Sequence, residues 1–213
     1  MNQDLKKEKS AKEAFKLIEP DLKKDTIIGI GTGSTTNFFI EELNKARIQI
    51  KGVVCSSNAS EELINKSYDI FSLNEVHGID FYVDGADEYN DRKELIKGGG
   101  GALTREKILA YSSEKFICIV DETKHTDLLG KFPLPIEVIE VARSAISREL
   151  MKMGGKPIFR NGFITDQGNE IIDVKDLEIP DPEALEIYLN NIPGVVDNGI
   201  FAFNKPSTVL VSD

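Results

Sequence analysis

Apolar and polar positions change period repeatedly as the chain runs toward Pro133. Near the N-terminus Ala11, Ala14, Phe15 and Ile18 recur at helical spacing. "TIIGIG" (26–31) is then a continuous β-branched run that stops at glycine, and "TTNFFIEELNKA" (35–46) returns to helical spacing. "IKGVVCSS" (50–57) reads as strand and "ASEELINKS" (59–67) as helix. "GIDFYVDGADE" (78–88) reads as a strand ending in polar residues, "ALTREKILAYSS" (102–113) as helix and "KFICIVDE" (115–122) as strand. Near-continuous apolar strands separated by helices predict a parallel sheet covered on both faces. Ligands of such sheets bind beyond the carboxyl ends of the strands.

The pattern shifts at Pro133 and Pro135. "LPIEVIE" (134–140) reads as strand and "ARSAISRELMKMG" (142–154) as helix. "KPIFR" (156–160) and "GNEIIDVKD" (168–176) read as strands paired around a turn. "DPEALEIYLNNI" (181–192) places Asp181 as N-cap and Pro182 at the first helical position. "GVVDNGIFAF" (194–203) is strand again. This β-α-β-β-α-β order matches the split-βαβ, ferredoxin-like motif. Two domains follow: residues 1–132 as a Rossmann-like α/β domain and 133–203 as a smaller ferredoxin-like lid. The final strand, "STVLVSD" (207–213), pairs with either part, and 204–213 is expected to return to the first domain.

Composition narrows the class. With 213 residues, 40% of them hydrophobic and 29% charged, a folded globular chain is expected. A net charge of −10 argues against general nucleic-acid binding, which needs a basic face. No apolar run approaches the ~20 residues of a membrane span, and the first 18 residues lack the apolar core of an export signal. Cys55 and Cys118 sit in apolar runs and read as buried free thiols, which suits a reducing cytoplasm. With two histidines, His77 and His125, and no paired-cysteine spacing, a metal site has little support.

Three polar loops follow predicted strands. "GIGTGSTTNFF" (29–39) gathers Gly31, Thr32, Gly33, Ser34 and Thr35 ahead of a helix, so that backbone N–H groups converge on an anion site. It fits neither the P-loop nor the dinucleotide fingerprint, which favours a phosphate over a nucleotide. The plainer alternative is a turn capped by a serine or threonine. "DGADE" (84–88) sets Asp84 and Asp87 around Gly85 and Ala86. Its carboxylates suit sugar hydroxyls, proton transfer to a ring oxygen or Mg²⁺, and equally an acidic turn. "KGGGGALTREK" (97–107) puts Lys97 and Gly98 to Gly101 ahead of a helix bearing Glu106. A lysine suits a developing oxyanion and a glutamate suits general-base work. A mobile loop before a helix that carries an acidic residue in its first turns is the competing reading.

Together "GTGST" (31–35), "DGADE" (84–88), "KGGGGALTREK" (97–107) and "GKFPLPIEV" (130–138) resemble, in order and spacing, ribose-5-phosphate isomerases of the A type. The resemblance runs over essentially the whole chain. It implies interconversion of D-ribose 5-phosphate and D-ribulose 5-phosphate in the non-oxidative pentose phosphate pathway. It implies no metal, no organic cofactor and a homodimer or homotetramer; the cytoplasmic location is expected from the thiols. By matching position, Glu106 is the catalytic base, and Asp84, Asp87 and Lys97 share the chemistry. Thr32, Gly33, Ser34 and Thr35, the turn Gly85–Ala86, the loop Gly98, Gly99 and Gly100, and Lys124 contact the substrate. The chain departs from the family pattern at Gly101, where alanine is common, and at Asn58, where aspartate is common. Lys6 and Lys7 align loosely; either could reach the phosphate, and a solvated helix face is the preferred reading.

Two other classes compete. A sugar-phosphate-sensing module would keep the phosphate loop without needing Glu106 and Lys97, and would carry a basic DNA-binding segment that residues before 26 do not supply. A sugar-phosphate deaminase or CoA transferase would use a related core; the transferase needs a glutamate nucleophile and room for a thioester.

Overall fold

The computed structural model describes residues 3–64 and 67–212. Positions 65–66 of the expected 59–67 helix, and Asp213 of the final strand, lie outside them. Along the chain run α1 (Gln3–Ile18), β1 (Ile27–Ile30), α2 (Ser34–Ala46), β2 (Gly52–Cys55), α3 (Asn58–Ile64), β3 (Ile79–Asp84), β4 (Glu88–Tyr89) and β5 (Leu95–Ile96). There follow α4 (Leu103–Tyr111), β6 (Ser113–Asp121), β7 (Leu134–Val138), α5 (Arg143–Lys152), β8 (Lys156–Phe159), β9 (Glu170–Lys175), α6 (Pro182–Asn190), β10 (Val195–Asn198), β11 (Ile200–Phe201) and β12 (Thr208–Ser212).

Two compact units form. The first comprises Met1–Gly85, Ile108–Thr123 and Pro206–Asp213; the second comprises Ala86–Lys107 and Lys124–Lys205. In the first unit a five-stranded sheet has the order β12-β6-β3-β1-β2, every pair parallel. Its strands are apolar on both faces, as a sheet covered twice requires. Ile28, Ile30, Val53, Val83, Ile117 and Ile119 join Ala11, Ala14, Phe15 and Ile18 of α1 and Phe39, Ile40 and Leu43 of α2 in one core. The helical spacing in α1 therefore marks a buried face, and β12 pairs along β6.

The second unit has a four-stranded antiparallel sheet of order β10-β7-β9-β8, backed by α5 and α6, which is the ferredoxin-like arrangement. Leu134, Ile136, Val138, Ile146, Leu150, Ile172, Val174 and Leu189 fill its core. Asp181 caps α6 by accepting the Ala184 N–H at 3.1 Å, and Pro182 stands at the first helical position, as the sequence predicts.

Two expected strands divide. The run 78–88 ends as a strand at Asp84, and Glu88–Tyr89 pairs elsewhere. The run 194–203 breaks at Gly199, so that β10 serves the four-stranded sheet and β11 a small sheet of order β11-β5-β4. Gly199 turns this corner because a side chain there would meet Pro135 at 2.8 Å and the Lys97 carbonyl closer still. Alternation of apolar residues does not reveal such a change of sheet.

Candidate active site

In the first unit β1 and β3 are neighbours, while β2 lies to one side and β6 to the other, so chain connections diverge there. Beyond the carboxyl ends of those two strands, Asp84 is fully buried. Its Oδ1 accepts the Thr32 N–H at 3.0 Å, the Gly85 N–H at 2.7 Å and the Thr36 hydroxyl at 3.2 Å, and its Oδ2 accepts the Tyr82 hydroxyl. Gly31 has to be glycine here, because a Cβ would overlap the Asp84 carboxyl group. One carboxylate thus ties the loop after β1, the first turn of α2 and the end of β3 together.

The loop enters α2 through Gly33, which is the N-cap at φ +121° and supplies no side-chain cap. The plainer reading of a hydroxyl cap is therefore not what forms. The positive end of α2 is left to whatever anion the loop receives. Lys7 of α1 donates to the Ser34 hydroxyl at 3.0 Å, whereas Lys6 pairs with Glu122. Of the two lysines, Lys7 therefore has its ammonium directed at this loop, through an exposed hydrogen bond. Thr32 places its hydroxyl in a cluster with Ser56 at 2.7 Å and Ser57 at 2.8 Å. Ser60 completes the cluster by donating to the Gly31 carbonyl. Sequence reading passed over these serines. The signal was present in "SSNAS", a run of hydroxyls straight after a buried strand.

In the second unit Lys97 follows β5, and Glu106 sits in the first turn of α4. Their side chains are 2% and 3% exposed, and Lys97 Nζ lies 3.3 Å from Glu106 Oε2. Between them the glycines are pinned. The Gly99 N–H donates to Asp87 Oδ2 at 2.8 Å, the Gly99 carbonyl accepts from Arg160 at 3.1 Å, and the Gly101 N–H donates to the Gly98 carbonyl at 2.9 Å. Arg160 is itself held by Asp173, with Nε 2.8 Å from Oδ2. A side chain at 99 would press on Asp87 Oδ1 at 2.8 Å, and one at 98 would meet Leu103 at 2.6 Å. The run of glycines is a shaped turn. Gly85, Ala86 and Asp87 are half-buried, and Lys124 is half-buried in the short turn after β6.

The aspartates differ in their surroundings. Asp84 receives four donors, and Asp87 braces the glycine loop through Oδ2. Cys55 and Cys118 are buried and not joined in a disulfide, and His125 faces Asp91 at 2.9 Å. Among the described residues no three His, Cys, Asp or Glu side chains gather as metal ligands, and no helix is long and apolar enough to cross a membrane.

A parallel α/β unit with a glycine-lined anion loop, a ferredoxin-like unit, and a buried lysine–glutamate pair define a class of sugar-phosphate isomerase. Residues 51–213 match the family model of ribose 5-phosphate isomerase A (phosphoriboisomerase A). The ribose-5-phosphate isomerase A of Mannheimia succiniciproducens is 53% identical over 99% of this chain and 95% of its own length. The crystal structure of ribose 5-phosphate isomerase A from Neisseria gonorrhoeae is 47% identical, with a TM-score of 0.95 over 100% of this chain and 94% of that one. A D-ribose-5-phosphate isomerase in complex with phospho-erythronic acid is 44% identical, with a TM-score of 0.91 over 99% of this chain and 96% of that one. The chain belongs to the ribose 5-phosphate isomerase A family.

Proposed function

We propose that this chain interconverts D-ribose 5-phosphate and D-ribulose 5-phosphate through a cis-enediolate, with Glu106 as the single base. The observation that carries this reading is the Lys97–Glu106 pair, 3.3 Å apart and buried. A carboxylate held at this place can act as a base toward a C–H proton. The Lys97 ammonium can oppose the charge that develops on oxygen once the proton has moved.

The open-chain aldose loses its C2 proton to Glu106, and the electron pair passes through C1=C2 onto O1. Lys97 supports O1, gives it a proton, and recovers one from O2. Glu106 returns its proton to C1, leaving the ketone at C2. One carboxylate suffices because both carbons of a cis-enediolate present the same side. Phospho-erythronic acid, bound by a relative, fits this scheme: its carboxylate resembles the enediolate in shape and charge.

Opening of the furanose needs a group that exchanges a proton with O1 or the ring oxygen. Asp87 is assigned this step, because Asp84 is occupied with four donors and acts as the brace of the phosphate loop. Gly33, Ser34 and Thr35 at the start of α2 take the phosphate, with Lys124 as a further contact. Thr32 shapes the loop from behind, while Gly98, Gly99 and Gly100 present backbone to the sugar. Gripping the phosphate orients C1 and C2, which is how remote binding becomes rate. The reading includes a cytoplasmic location, which suits the buried thiols, and a homodimer or homotetramer, as the family implies.

A coupled assay with ribose 5-phosphate tests the activity. Glu106→Gln keeps the fold and lowers kcat by about 10²–10⁴; near-normal turnover in that variant removes Glu106 from the base role.

A further inference from the structure

Lys97 and Glu106 come from different segments, and one corner of the second unit touches Lys97 and the residue next to Glu106. At the β10–β11 corner the Gly199 carbonyl accepts the Lys97 N–H at 2.9 Å. Lys107, the residue after Glu106, sends its own buried ammonium into the same corner. It donates to Asp197 Oδ1 at 2.8 Å and to the Asn198 carbonyl at 2.7 Å, and lies 3.0 Å from Glu186 Oε1. Those three oxygens match the three protons of an ammonium. The other Glu186 oxygen accepts the Ala202 N–H at 2.9 Å and the Phe203 N–H at 3.2 Å, so the corner is fastened on its far side too. The fully buried ring of Phe201 contacts both cations: its centroid lies 5.5 Å from Lys97 Nζ and 5.1 Å from Lys107 Nζ.

Such a cluster is costly. Apolar residues of similar volume would serve stability as well or better, since buried ion pairs give up hydration for their attraction. What the cluster supplies is direction. An apolar side chain at 107 could slide, whereas an ammonium held by three oxygens fixes α4 one residue beyond Glu106. Rate is sensitive to such placement, because a displacement of about 1 Å at a reacting group can cost on the order of 10²-fold.

We propose that Lys107 is a positioning residue for the isomerisation, its ammonium bound to Asp197, Asn198 and Glu186 so that the corner sets the distance between Lys97 and Glu106. The proposal rests on the assignment of Lys97 and Glu106 made above.

Lys107→Met is compared with the wild type for kcat, KM and exchange of the substrate C2 hydrogen with deuterated solvent. Phospho-erythronic acid titration and circular dichroism report the fraction folded. The expected result is a 10- to 100-fold lower kcat, an equal fall in C2 exchange, and a KM within about threefold. A purely structural lysine would lower Tm and leave kcat per folded molecule within twofold, which overturns the proposal. Should Lys107→Met not fold, Asp197→Asn decides. It keeps an oxygen for Lys107 but weakens the attraction, so kcat falls about 3- to 10-fold; an unchanged kcat overturns the proposal. Glu106→Gln run alongside separates the two readings. An active Glu106→Gln removes the base assignment, while an inactive one beside a fully active Lys107→Met removes only the role of Lys107.

Discussion

Phe163 occupies the place that a side chain at residue 101 would need. Gly101 holds φ +86°, and a Cβ built on it would fall within the Phe163 ring. That ring also lies under the Arg160 guanidinium, 5.2 Å away, and Arg160 holds the Gly99 carbonyl. The glycine at 101 is therefore the residue that leaves room for the phenylalanine at 163. Gly101→Ala is expected to cost about 1–3 kcal/mol, the usual range for overpacking. Phe163→Val should restore most of it, leaving only the smaller cost of the left-handed backbone. Denaturant melts of the two single variants and the double give the coupling, expected above about 0.5 kcal/mol. Strict additivity contradicts the pairing.

Asp84 is predicted to act through structure first. Asp84→Ala leaves four donors, two buried and two half-buried, without this acceptor and should cost on the order of 3 kcal/mol, with the loop after β1 the first part to loosen. Asp84→Asn keeps the oxygen that serves Thr32, Gly85 and Thr36 and should lose less. Gly31→Ala should raise KM for the sugar phosphate sharply, because its methyl displaces the Asp84 carboxyl. If Asp84→Ala melts as the wild type does, the brace is misassigned.

A second anchor reaches α4 from Glu137. This fully buried carboxylate accepts the hydroxyls of Thr104 and Thr165 and the amide of Asn169, all neutral donors. Thr104→Val preserves shape but removes one donor from a buried charge. It should destabilise by about 1–3 kcal/mol, whereas Thr104→Ser should cost less. Equal melts for the two would show that the hydroxyl is idle.

Asp197 carries a pH signature. Burial pushes its carboxyl above the ordinary value of 3.8, while Lys107 and the Asn198 N–H pull the other way. A carboxyl raised on folding contributes stability that is full below its unfolded value and lost as pH rises through its folded one. Asp197→Asn does not titrate, so its stability should gain on that of the wild type between about pH 4 and neutrality. Urea midpoints across that range measure the gap. A gap that moves toward the wild type as pH rises would reverse the sign.

With Lys97 in the proposed role of opposing the oxyanion, isomerisation should also survive dialysis against EDTA. Activity lost on chelation and restored by one divalent cation would require a different account.

Much of this architecture was readable in residue order. The β-branched runs and glycine stops give the parallel sheet, and Asp181–Pro182 gives the start of α6, because both depend on local spacing. The turn at Gly199 and the two-residue strands β4 and β5 escaped, since so short a strand has no period of its own. The three loops were found as motifs, and their contents were sorted only by three-dimensional packing. Hydrogen bonds between residues 52 positions apart, as between Thr32 and Asp84, leave no trace in a single sequence. The same holds for Lys107, whose partners Asp197 and Asn198 lie 90 and 91 positions further on.

Pinning of the glycine loop bears on the thermodynamics of encounter. A free run of four glycines would forfeit more chain entropy on closing over a ligand than any other sequence of that length. Here Asp87, Arg160 and Phe163 have already fixed that segment as part of folding. Under the proposed assignment of this loop, a sugar meets a surface whose ordering was completed beforehand, and its binding free energy is left for orienting carbon.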